Sequence, residues 1–570
     1  MGIGSIPSGT TGPLQLRSER LGGLPIVGHF LARMGVGALL ERYLPQRESA
    51  VGLSAARTLG VLIRNLCLSH QPLYRLGEWA GGFDPRLLGI PAGERGLLND
   101  DRVGRALERL FGCDRASFLT ELTLGVIAEF GVDCSQLHND STSLTLHGAY
   151  READGREHAG QATVTFERGH SKDHRPDLKQ LLWILTIAAE EAVPLAYRLA
   201  DGNTNDESTH IETWDGLRAL TGRADFLYVA DCKLATRPQL AHIDSHGGRF
   251  ITQLPRSRRE HNQLCQWTRQ NQPEWTEADR RPAPHKHDPD QVWKSAPAPL
   301  RSSEGYRLVW VHTTHQQHLD EHFRARQLTR AQAALSALNQ RLHGPKCRFA
   351  DRASVQAAID AVLAKHHCTA LIRTTLTERP AEPVSAQTRG PDNIIHRRRE
   401  LRSRFAISWQ LDHPALAHQA AADGCYALIT NDPNLTPIQT LAAYRYQPNL
   451  EKRHHQLKSI QHAAPIYLKN TARIEALFLC HYIALLTSAL IERQLRHAMQ
   501  RQHIKQLPLY PEQRNCQHPT TTRTLELFAD LARYHLTHHH QHIQTFPPQL
   551  SPLQTQLLEL LDVPTAAYSR

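Results

Sequence analysis

"QLHNDSTSLTLHG" (136–148) decides the fold, because the spacing of apolar residues changes period there. Upstream, residues 24–130 repeat their apolar positions as helices do. Pro25 suits a first helical turn with Ile26, Phe30 and Leu31 on one face, and Leu39, Leu40 and Tyr43 form a second face. "NDDRVGRALERLF" (99–111) begins with capping residues and places Val103, Ala106, Leu107 and Leu110 on one side. From about residue 134 the pattern alternates, so 136–148 is expected to be a strand, with Asp140 in its middle.

The strands continue downstream. "LLWILTIAAEEAVPLAYRLADGN" (181–203) predicts two buried strands joined by a turn at Glu190–Pro194. A helix over 206–222 follows, then the apolar strand "FLYVAD" (226–231) ending on Asp231, a short helix around 236–246, and the strand "RFITQLP" (249–255). Hairpin-linked strands followed by strand–helix alternation predict an α/β fold with a mixed sheet.

Residues 256–424 interrupt that order and are expected to form an inserted α+β subdomain. "YRLVWVHT" (306–313), "LIRTTL" (371–376) and "FAISWQL" (405–411) look like strands, and the Pro- and charge-rich 273–300 looks like loop. Leu328, Ala331, Leu335, Leu338 and Leu342 make a heptad-like helical seam, and Val355, Ile359, Val362 and Leu363 mark a second helix. A basic run, "HRRRELRSR" (396–404), precedes the return of the sheet pattern at "CYALITN" (425–431).

Bulk properties narrow the function. A formal charge of +10 and a pI near 9.2 lean toward a polyanionic partner. Ten scattered cysteines, none two residues apart, argue against zinc ribbons and redox pairs and fit a reducing cytosol. The first 20 residues lack a signal-peptide h-region and the myristoylation pattern, so 1–23 is expected to be a flexible leader. "ALFLCHYIALLTSALI" (476–491) is too short to span a bilayer and carries His481, so a buried core helix is expected and no membrane partner. "RYHLTHHHQHIQ" (533–544) lacks the spacing of a metal site and is expected to be a solvated, partly helical surface.

Three carboxylates interrupt apolar elements. Asp140 is disfavoured within a strand unless its charge is used or meets water. Asp231 ends a strand, where α/β sheets bind ligands, although a helix N-cap explains it equally. Glu451 lies in "YRYQPNLEKRHHQLK" (444–458), just inside a helix that Pro448 and Asn449 start and that packs through Leu450, Leu457 and Ile460. Glu451, His454, His455 and Lys458 recur at i, i+3, i+4 and i+7 and should line one ridge; the helix dipole alone accounts for an acid at that position. Gathering three carboxylates is unfavourable unless cations lie between them. Mg²⁺ accepts such oxygens, and two such ions can drive in-line phosphoryl displacement.

These stretches resemble bacterial insertion-sequence transposases of the DDE class, in the branch whose signature is Tyr, two residues, Arg, three residues, Glu, six residues, Lys. Tyr444, Glu451 and Lys458 fall in register, and Gln447 stands where the family has Arg. "HNDSTSL" (138–144) resembles the first-aspartate block and "LYVADCKLAT" (227–236) the second. "GLPIVGHFLARMGVGALLERYLP", "GHSKDHRPDLKQL", "DGNTND", "DGCYALITND" and "RIEALFLCHYIALLTSALIERQLR" resemble the subgroup with a long insertion before the glutamate.

The resemblance implies a ribonuclease-H-like mixed-sheet core with an insertion, a helical N-terminal domain and a helical C-terminal region. It divides the chain into a leader (1–23), a helical domain expected to bind DNA (24–130), a first catalytic-core segment (131–255), the insertion (256–424), a second catalytic-core segment (425–500) and a C-terminal helical region (501–570). It implies Asp140, Asp231 and Glu451 as a triad holding two Mg²⁺ ions, for which Mn²⁺ substitutes. Element ends would be nicked and their 3′-hydroxyls joined to target DNA by a homodimer on double-stranded terminal inverted repeats, in the bacterial cytoplasm at the nucleoid. The DNA-contact candidates are Tyr444, Arg445, Gln447 and Lys458. Gln447 keeps only neutral hydrogen bonding toward a phosphate, and Arg445 would point to another side of the helix. The competing readings are a metal-dependent nuclease that does not join ends, and a degenerate copy that only binds DNA.

Overall fold

The computed structural model describes residues 14–569 apart from 46–51, 170–174, 284–288, 345, 346, 348, 350, 390–394, 464, 465, 467 and 540. Only the backbone is described at 206, 379–389, 395–404 and 513. Two compact units emerge, Met1–Phe250 with Tyr444–Arg570, and Ile251–Ala443.

In the first unit four strands lie in the order Pro194–Ala200, Lys179–Ala188, Gln136–Leu146, Leu227–Ala230. The first two pairings are antiparallel and the last is parallel, so the sheet is mixed as the sequence predicts. Gly202, in the "DGNTND" stretch, follows the edge strand, and a Cβ there would meet the Gln180 carbonyl at 2.0 Å. Only glycine permits that approach. The "GHSKDHRPDLKQL" stretch lies partly outside the described residues.

The helical region follows the spacing. Asn99 caps Asp100–Gly112 by accepting from the Arg102 N–H, and Val103, Ala106, Leu107 and Leu110 are buried. This helix and Ala55–Leu68 pack against Thr471–Arg501, which Asn470 caps through the Arg473 N–H. A cap of this kind contributes about 1 kcal/mol. Thr471–Arg501 is long and apolar enough to cross a membrane, yet 94% of its apolar window is buried within the protein. Its Tyr482 stacks on Tyr197 of the edge strand at 4.6 Å, and Phe478 lies 5.8 Å from Trp183.

Two expectations about the ends change. Leu14–Arg20, placed in a flexible leader, is a strand paired antiparallel with Ala532–His538, which pairs in turn with Gln541–Phe546. The leader's residues 1–13 lie outside the described residues. The C-terminal region therefore contains a hairpin across the histidine run, besides helices such as Pro552–Leu560. A lone strand has no hydrogen-bond partner, and this one's partner lies more than 500 residues along the chain.

The second unit is α+β. Five strands run antiparallel in the order Arg249–Gln253, Cys425–Thr430, Arg307–Thr313, Gln291–Arg301, Thr276–Arg281, the first being the strand within which the chain enters the unit. The last two replace the loop expected over 273–300. A register shift between Pro297 and Arg301 accommodates prolines that a regular ladder excludes, and charged residues suit the edge strand Thr276–Arg281. Ile372–Arg389 and Ile395–Leu411 form a two-stranded ribbon longer than the sequence suggests. The basic run 396–404 lies on it, its side chains outside the described residues. Ile372, Leu376, Phe405 and Ile407 at the ribbon's base pack on the expected seam of Ala331, Leu335, Leu338 and Leu342.

Candidate active site

Backbone register sets the first two carboxylates side by side. The strand Gln136–Leu146 pairs with Leu227–Ala230 in parallel, and the last matched positions are Asn139 and Ala230. Asp140 and Asp231 are the next residue on each chain, at the carboxyl end of the shorter strand. Neighbouring strands lie about 4.8 Å apart. Asp231 does cap a short helical turn, accepting from the Lys233 N–H at 3.0 Å, so the capping account and the site account hold together. Asp140 Oδ1 accepts from the Ser141 N–H at 2.8 Å. Burial, then the charges of Asp231 and Asp140, push the Tyr228 phenol well above its ordinary pKa. Its oxygen lies 3.0 Å from His210 Nδ1.

The glutamate comes from a helix held by side chains. One helix ends at Tyr444, residues 445–447 turn, and Pro448 opens the helix Pro448–His455. Leu450 is fully buried. Arg453 is buried too, and its guanidinium donates to the Ala192 carbonyl (2.9 Å), the Glu191 carbonyl (3.0 Å), Gln456 Oε1 (2.8 Å) and Glu492 Oε2 (2.8 Å). His454 turns toward the sheet, its Nδ1 3.9 Å from Asp140 Oδ2. Glu451 is exposed one turn earlier on the same side, since positions three apart are neighbours on a helix.

Three details differ from expectation. After His455 the chain winds into a π-helical turn, Gln456–Ile460, so the predicted ridge does not run regularly to the half-buried Lys458. Arg445 lies in the turn between helices, not on a helix face. Gln447, expected to face DNA, is 8% exposed and bonded to the Asp140 strand. His454 received no separate role from the sequence, although its position on the Glu451 ridge could have suggested one.

Carboxylate oxygens are the donors a hard divalent cation takes, and on donor chemistry the aspartate pair fits one. Among the described residues, no three His, Cys, Asp or Glu side chains close tightly enough to hold a metal ion together. Like charges keep such a set apart unless a cation lies between them. A cavity of about 910 Å³ lies beside the same helix, lined by Asn449, Lys452, His455, Arg496 and Arg523 together with Glu190, Glu191 and Glu526. Its mixed charges favour no one ligand sign.

Comparison with known proteins adds two findings. Residues 16–124 match the family model described as Domain of unknown function (DUF4277). A structural match, at a TM-score of 0.26 and 8% sequence identity, is to the cryo-EM structure of piggyBac transposase in a synaptic complex with hairpin DNA, over 86% of this chain and 87% of that one. No curated protein sequence matches the chain.

Proposed function

We propose that this protein is a DDE transposase with a ribonuclease-H-like core, which cleaves the ends of an insertion sequence and joins the freed 3′-hydroxyls to target DNA. The observation that carries the reading is the pairing of Asp140 with Asp231 just past the end of a parallel ladder, with the Glu451 helix laid against the same strand. The sequence blocks quoted above, in order along the chain, support it independently of that geometry.

In this reading Asp140 and Asp231 hold divalent cations at the strand ends and Glu451 completes the set. Two Mg²⁺ ions, or Mn²⁺ in their place, supply activation of the attacking oxygen and stabilisation of the leaving one. His454 lies beside the Asp140 carboxylate, whose Oδ1 accepts from the Ser141 N–H. Tyr444, Arg445 and Lys458 contact phosphates, and the net charge of +10 draws the DNA in. Two copies act on paired ends, so the working form is a homodimer on double-stranded DNA.

The test uses purified full-length protein, Mg²⁺, labelled duplexes carrying the inverted repeats that flank the gene, and a target plasmid. Joined products are expected. Cleaved ends without joining would replace this reading with that of a nuclease, and binding without cleavage would indicate a degenerate copy.

A further inference from the structure

The residue that departs from the signature has a place of its own. Gln447 Oε1 lies 2.8 Å from His138 Nδ1, and Gln447 Nε2 donates to the Asn139 carbonyl at 3.1 Å. His138 is fully buried, and its Nε2 lies 2.8 Å from Gln136 Nε2. An amide NH₂ only donates and an amide oxygen only accepts, so one proton arrangement satisfies the chain. Gln136 donates to His138 Nε2, His138 Nδ1–H donates to Gln447, and Gln447 donates to the strand. Asn139 is fastened on its other side, its Nδ2 donating to the Leu185 carbonyl (3.2 Å) and Thr186 Oγ1 (2.9 Å). The Tyr446 ring covers His138 at 5.2 Å.

An arginine does not fit this proton arrangement. It has donors only, so it cannot accept from His138 Nδ1–H, and it would bring a charge into a buried position. The glutamine is matched to His138 and is more than a lost phosphate contact.

We propose that Gln447 is a positioning residue that clasps the start of the Glu451 helix to the strand residue directly before Asp140, and so sets the third carboxylate against the aspartate pair. This rests on the DDE reading of the site. Gln447 lies one helical turn before Glu451, and its partner Asn139 lies one residue before Asp140, so the clasp ties together the two segments that carry these acids.

The test is calorimetric Mn²⁺ binding to the full-length protein, alongside hydrogen exchange. Gln447→Met keeps the length and removes both polar contacts. It is expected to weaken Mn²⁺ binding about tenfold, the lower end of what losing a group bonded directly to a metal ligand does. Amides of 448–455 should exchange faster while those of 471–501 stay as in the wild type. Gln447→Asn, whose amide falls one methylene short, gives the same readout if the Met variant folds poorly. Wild-type Mn²⁺ affinity in a folded variant, with or without a lower melting temperature, would overturn the proposal. If the wild type itself binds no Mn²⁺, or binds it as tightly as Asp140→Asn does, the metal reading of the site fails and the role of Gln447 fails with it.

Discussion

The aspartate pair and the glutamate helix reach the same region by different physical means. Asp140 and Asp231 are set by a backbone ladder, where a slip of one residue would turn every side chain of the strand to the other face. Leu137, Tyr228 and Val229 are fully buried on the two faces of the ladder, so a slip would have to repack both faces. Glu451 rides on an eight-residue helix too short to be stable alone, held by Leu450, by Arg453 and by Gln447. One half of the candidate site is therefore fixed by main chain and the other by a few polar side chains. Substitutions should move the helix far more readily than the strands.

The largest expected effect tests the pair itself. Asp140→Asn or Asp231→Asn should reduce Mg²⁺-dependent end cleavage below detection while leaving DNA binding nearly intact, and Glu451→Gln should do the same. Full cleavage by any one of them would remove that residue from the site.

Next is the helix anchor. Arg453→Met removes the nearest guanidinium from the buried Glu492, which keeps Arg496 at 3.6 Å and the Thr521 N–H, so the loss should be about 1.5–3 kcal/mol. Urea unfolding should show that loss. The same change ought to depress cleavage without altering the aspartates, and equal stability would mean the helix is not held this way.

A smaller effect concerns acid. His481, on the long helix that supplies Glu492, is fully buried, and burial followed by the nearby His70 pushes its pKa down to about 3. The unfolded chain takes up this proton near pH 6.5 and the native state does not, so stability is full above pH 6.5 and falls as the pH drops toward 3. At pH 5 the loss from this residue is about 2 kcal/mol. The melting temperature should fall between pH 7 and pH 5, and His481→Leu should flatten that slope.

The smallest effect belongs to the half-buried Lys458. Lys458→Ala should weaken binding to all duplexes alike and reduce the slope of log affinity against log salt by about 1. An unchanged slope would mean that the π-turn keeps this lysine off the DNA.

Much of the core was legible because its signals are local. Alternation from Gln136, the apolar run before Asp231, and the caps and seams of the helices each follow from neighbouring residues, and the structure repeats them within a few positions. The helical seam of 328–342 and the buried helix 471–501 were legible for the same reason. The strands in 273–300 were hidden, because prolines and charges argue for loop wherever the compensating bulge and exposed edge cannot be seen. The strand Leu14–Arg20 was hidden by the distance to its partner, and the hairpin at 532–546 by a histidine-rich run without apolar alternation.

By itself the sequence determined which acids interrupt apolar elements, the mixed strand order around them, and the odd glutamine at 447. Only the tertiary structure decided that Asp140 and Asp231 share a ladder end, that His454 turns to Asp140, and that Gln447 faces His138 instead of solvent. The physical reason is that periodicity is written in residues a few places apart, whereas a buried hydrogen bond joins groups more than 300 residues apart and leaves no local trace.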